Sequence, residues 1–163
     1  MQPPTLALLA VLLFSALLPG CAGTFDIPET RPDDFTMLVT VYPAQARAEP
    51  AFRPARYAIE PDGLLRAESG SGVIRQGFPP IARRLEPAQI DRIYALARAS
   101  GVLDESAVRV PGMTEYDPPA DQAVTVLEIG SHGTFRAVEL PTDPAGPIAP
   151  FIRELARLSW LDR

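Results

Sequence analysis

Lysine is absent from the 163 residues, and all fifteen basic side chains are arginine. Against twenty Asp and Glu this leaves a formal charge of −5. A weakly acidic chain has no general attraction for nucleic acid, which requires a basic patch. With abundant alanine and proline, the missing lysine reads as the composition of a GC-rich genome and not as a function. Cysteine occurs once, at Cys21, so no internal disulfide can form. Histidine also occurs once, at His132. Metal or nucleophile chemistry would require carboxylates or a serine gathered around it in space. His132 instead follows Ser131 in a glycine-flanked turn, and sequence adjacency does not make a triad.

Charged side chains are missing from residues 1–20 altogether. Thr5 to Leu18, TLALLAVLLFSALL, is an apolar run of about 14 residues broken only by Ser15. A membrane-crossing helix needs roughly 20, whereas the apolar core of a signal peptide takes about 7–15. Pro19 and Gly20 end the run and Cys21 follows. Leu18-Pro19-Gly20-Cys21 resembles the lipobox of bacterial lipoproteins, although Pro19 stands where the pattern carries Ala or Ser. The resemblance implies a signal peptide over 1–20 and a Cys21 thiol alkylated with diacylglycerol, with acyl chains such as palmitate holding the protein to a membrane. It also explains why an exported chain carries one leftover thiol. Asp after the lipidated Cys marks inner-membrane retention in such proteins. Ala22 stands there, which implies the outer membrane, facing the periplasm, in a host with two membranes. Ordinary cleavage after Gly23 is the alternative and would release a cysteine-free chain.

Past the leader about 143 residues remain, enough for one domain to bury a core without disulfides or metals. Residues 21–34 are polar and proline-containing and read as a lipid-anchored tether. The domain then covers 35–163. Phe35 to Tyr42 alternates, with Phe35, Met37, Val39 and Val41 on one face of a first strand. Pro61-Asp62-Gly63 between apolar flanks predicts a hairpin turn. VIRQGF, from Val73, is a candidate short strand. A helix is expected over Leu85 to Gly101. Glu86 caps it, Pro87 opens it, Gln89 completes a capping box, and Ile90, Ile93 and Ala97 share its buried face. Asp104 to Gln122 is a loop of about 19 residues, longer than the usual connection of about 4–6. Ala123 to Ile129 and Thr134 to Leu140 form a second hairpin around Gly130 to Gly133. Ile148, Phe151, Ile152, Leu155 and Leu158 mark a closing amphipathic helix, with Pro150 in its first turn. Two ββα-like units predict a two-layer α+β domain: an antiparallel sheet with both helices packed on one face.

The hairpin with its D-G turn, the helix entry LEPAQIDRIYALARASGVL, the long loop, AVTVLEIG…GTFRAVELP and the closing helix together resemble two groups. One is a set of small bacterial lipoprotein domains of unknown function. The other is the emfourin-like inhibitors of thermolysin-type metalloproteases. The resemblance spans Phe35 to Leu161 and rests on element order. It implies this α+β fold and, for the second group, stoichiometric protease inhibition. Val41-Tyr42-Pro43-Ala44 replaces the inhibitors' Ser-Gly-Gly stretch, and no functional residue is carried over.

The remaining polar clusters read as surface. Glu115, Asp117 and Asp121 lack EF-hand spacing and its closing Glu. Glu60, Asp62 and Glu68 flank a tight hairpin, where paired carboxylates are solvated more often than catalytic. Arg83 and Arg84, with Arg75, are few for a docking patch, and Gly70-Ser71-Gly72 lacks the phosphate-loop spacing. The reading is a non-enzymatic cell-envelope lipoprotein whose domain binds a protein partner, with no catalytic, cofactor or metal residues. The alternatives are the emfourin-like inhibitor and an unrecognised hydrolase. Met113 and Tyr116, an apolar and an aromatic side chain on the stiffened long loop, are the candidate partner contacts. For the anchor, Cys21→Ser is expected to abolish incorporation of labelled palmitate and partitioning into detergent. A wild-type protein that takes up no fatty acid would point to cleavage after Gly23.

Overall fold

Strict alternation makes Thr36–Tyr42 a strand, β1, with Met37, Val39 and Val41 buried on one face, continuing from the buried Phe35. The computed structural model describes residues 28–43, 49–70, 73, 78–102, 107–111, 117 and 122–160. Pro50–Phe52 form a 3-10 turn that leads into β2, Ala55–Ile59. The Pro-Asp-Gly turn folds β2 onto β3, Leu64–Ser69. Gly63 takes φ +83° there, and a side chain at this position would press on Ile90 and the Leu85 carbonyl. Next come β4, Ile81–Arg84, and the first helix, α1, Pro87–Ala99. The capping box forms as expected: the Glu86 N–H donates to the Gln89 side-chain oxygen at 2.9 Å. Gly101 takes φ +92° just beyond the helix.

The long loop contains β5, Val108–Arg109, and is followed by β6, Val124–Ser131, and β7, Thr134–Pro141. The β6–β7 turn is tighter than its four-residue sequence signal. Only His132 and Gly133 turn, with φ +51° and +70°, so Gly130 and Ser131 pair as strand residues with Phe135 and Thr134. Ala149–Ser159 is the closing helix, α2, with Pro150 in its first turn.

The seven strands form one antiparallel sheet in the order β4-β3-β2-β1-β6-β7-β5. Both helices cover one face, giving the expected two-layer α+β architecture. Tyr57, Leu65, Leu127, Ile129 and Val138 point from the sheet into the helical layer, where Ile93, Phe151, Ile152, Leu155 and Leu158 meet them. Phe35 closes the near end, its ring edge-on to Tyr94 at 5.1 Å. Between the helices Glu154 is buried and holds both Arg157 and Arg92, at 2.8 and 3.1 Å. The bond from Arg157 is the main cause that keeps this carboxyl below its ordinary value.

Three segments differ from the sequence reading. β4 arises from IARR, which has no apolar alternation. β5 turns part of the long loop into an edge strand on β7, and Val110 continues it by donating to the Ala137 carbonyl at 3.1 Å. Of the residues assigned to the tether, 28–31 lie along α1, and Asp34 accepts from the Gly133 N–H of the β6–β7 turn. VIRQGF lies outside the described residues except for Val73 and Phe78. Ile93 is fully buried at the helix–sheet interface. Ile93→Ala is therefore expected to cost about 2–5 kcal/mol in urea unfolding. A loss below about 0.5 kcal/mol would contradict this assignment of the buried face.

Candidate functional site

The two sheet faces differ in how they are closed. Toward Tyr42 the helix-free face is buried, at Thr40, Arg56 and Val126. Toward Thr36 it opens into a groove of about 520 Å³. Pairing register dictates the floor. Leu38 of β1 sits between Ala58 of β2 and Glu128 of β6, all on the face that the core residues of those strands leave behind. Phe78, before β4, and Phe135, at the start of β7, wall the groove and stand 74% and 64% exposed. Aromatic side chains this exposed on a domain with a complete core are unusual and characterise contact surfaces.

Gly130 keeps one end of the groove open. A Cβ there would fall 2.2 Å from the Thr36 γ-oxygen, so any side chain would collide. Phe135 is its cross-strand partner. At the other end Arg66 is ion-paired with Glu60 and donates to the Pro79 carbonyl at 3.3 Å. Its guanidinium lies 5.8 Å from the centre of the Phe78 ring. That contact holds the wall against the groove end. Beyond Gly130 a shallower cleft continues past Glu128 to Asp34. Backbone N–H groups of His132 and Gly133 keep the Asp34 carboxyl below its ordinary value. The groove is thus an apolar trough with the Arg66–Glu60 ion pair at one end and the Asp34 carboxylate in the cleft beyond the other. It can take an apolar side chain with a cation beside it.

Several sequence candidates fall elsewhere. Met113 and Tyr116 lie outside the described residues, as do Cys21, Arg75, Glu115 and Asp121. Asp62 faces Arg84 at 3.1 Å and accepts from the Leu64 N–H, so the hairpin carboxylates divide between two arginines and do not converge. His132 is exposed in its turn. Among the described residues no three His, Cys, Asp or Glu side chains gather as metal ligands, and no helix is long and apolar enough to cross a membrane. The groove escaped the sequence reading because its walls are far apart in the chain. One local signal existed. In TFRAVEL, Phe135 has the parity of Ala137 and Glu139, opposite the core residues Val138 and Leu140. An aromatic on the outward parity of a strand marks an exposed ring.

No protein-family model matches the chain, and comparison with curated proteins finds no match. The geometry of the groove end can be tested directly. Gly130→Ala is expected to destabilise the domain by about 1–3 kcal/mol through overpacking. Thr36→Ala in the same chain should recover most of that, because the next contact, Thr36 Cβ, lies at 3.6 Å. A double-mutant cycle on urea midpoints reads the coupling, and additive losses would contradict the predicted collision.

Proposed function

We propose that this protein is a non-enzymatic cell-envelope lipoprotein, acylated at Cys21, whose domain binds another protein through the groove on its helix-free sheet face. The observation that carries the reading is the pair of exposed rings, Phe78 and Phe135, on either side of an apolar floor. Such a trough excludes water from an inserted side chain, the usual setting of an interface hot spot. The Asp34 carboxylate, in the cleft that continues from the groove, favours a partner segment that brings a cation near its apolar anchor. The rings lie outside the core, so their removal separates binding from folding.

A photo-crosslinking residue in place of Leu38, in the full chain in its own envelope, tests this. A discrete adduct is expected that the same probe at the exposed Asp143 does not give. Phe135→Ser should abolish the adduct while shifting unfolding by no more than about 0.5 kcal/mol. Identical labelling from Leu38 and Asp143 would defeat the reading.

A further inference from the structure

We infer that the protein bound in this groove is a second copy of the same chain, laid face to face on the first; this rests on the groove being a protein contact and names its occupant. Among the described residues five large apolar side chains stand exposed, and four of them, Phe78, Ile81, Val108 and Phe135, lie on the helix-free face. Two copies of one surface meet across a two-fold axis only where the surface complements itself. Strand pairing shows that this one does. A single row crosses six strands: Ile81 on β4, Arg66 on β3, Ala58 on β2, Leu38 on β1, Glu128 on β6 and Ala137 on β7. Its midpoint falls between Ala58 and Leu38. At about 4.8 Å per strand the row is about 24 Å wide.

A two-fold axis along the strands at that midpoint, a direction that aligned packing of two sheets allows, exchanges the halves of the row. Leu38 of one copy then lies over Ala58 of the other, and Ile81 over Ala137, each time a large side chain over a small one. Arg66 lies over Glu128. The next row, toward Thr36, behaves alike: Leu64 lies over Gly130, and Arg84 over Phe135. Gly130 cannot carry a side chain without striking Thr36, so that hollow is permanent. None of these charges is unmatched in its own chain. Arg66 holds Glu60, Arg84 holds Asp62, and Glu128 is engaged as well. The attraction therefore comes from the apolar side chains, and the charges set which way round the copies lie. An axis along the row would instead lay Arg66 on Arg66 and Glu128 on Glu128. Toward Tyr42 the face is already buried, so contact is confined to its open half. A patch of that size is at the lower end of specific interfaces, on the order of 1,000 Å² in total, and the association is reversible.

The photo-crosslinking residue at Leu38 decides the occupant by mass, in the full chain in its own envelope with two differently tagged copies expressed together. An adduct of twice the chain's mass carrying both tags is expected. An adduct of any other mass overturns the second copy and leaves the groove as a site for a different protein. No adduct at all overturns both. Charge reversal then tests the axis. Arg66→Glu in both copies, or Glu128→Arg in both, opposes like charges at each end of the row and should lower the two-tag adduct at least about tenfold. A copy with Arg66→Glu expressed beside a copy with Glu128→Arg has opposite charges at each end again. That mixture should recover the adduct, which also shows that both variants fold. No loss with the single reversals, or no recovery in the mixture, overturns the face-to-face arrangement.

Discussion

Everything in this domain hangs on the register of the central strand β1. Val39 is opposite Tyr57 on one side and Leu127 on the other, and the row continues through Leu127 to Val138. This row meets the helices. Leu38, one residue away, is opposite Ala58 and Glu128 and belongs to the other face. A slip of a single residue would exchange the two sets, putting Glu128 under the helices and Leu127 in water. Each of the large apolar side chains in the row gains roughly 1.5–3 kcal/mol by burial, so the alternative register is strongly disfavoured. The core and the groove are thus two readings of the same alternation. What makes one face dry also delivers Leu38 and Ala58 to the other.

How much of this was legible from the residues depended on how local the cause was. β1, the Pro-Asp-Gly turn and the capped start of α1 carry their causes within a few residues, and they form where expected. β4 does not. Ile81 to Arg84 becomes a strand because β3 offers it an edge, and Ala67 donates to the Pro80 carbonyl at 3.0 Å just before it begins. β5 likewise exists only as a partner of β7. At the β6–β7 turn the residue types were informative and the length was not. Gly130 is a strand residue whose missing side chain makes room for Thr36, while His132 and Gly133 do the turning. The segment 28–31, which lies along α1, was hidden for a related reason. Its polar, proline-containing composition is that of a linker, and only the fold brings Tyr94, Arg98 and Asp91 to its carbonyls and its arginine.

The same separation explains the groove. Phe78 and Phe135 face one groove only after β3, β2, β1 and β6 have been laid between them. The two broad surfaces of the domain then differ in chemistry. The helical layer carries arginines over a buried carboxylate and one half-exposed tryptophan, while the groove is an apolar floor between two exposed phenylalanines. A two-layer fold has these two broad surfaces to offer, and here the helix-free one carries the groove.

The margins of the sheet carry a last consequence. β5 is two residues long, and β4, at the opposite margin, is four residues long and half arginine. Each margin is thus a short strand, and like charges would meet if two β4 strands lay side by side, which disfavours extension of the sheet by another copy at that edge.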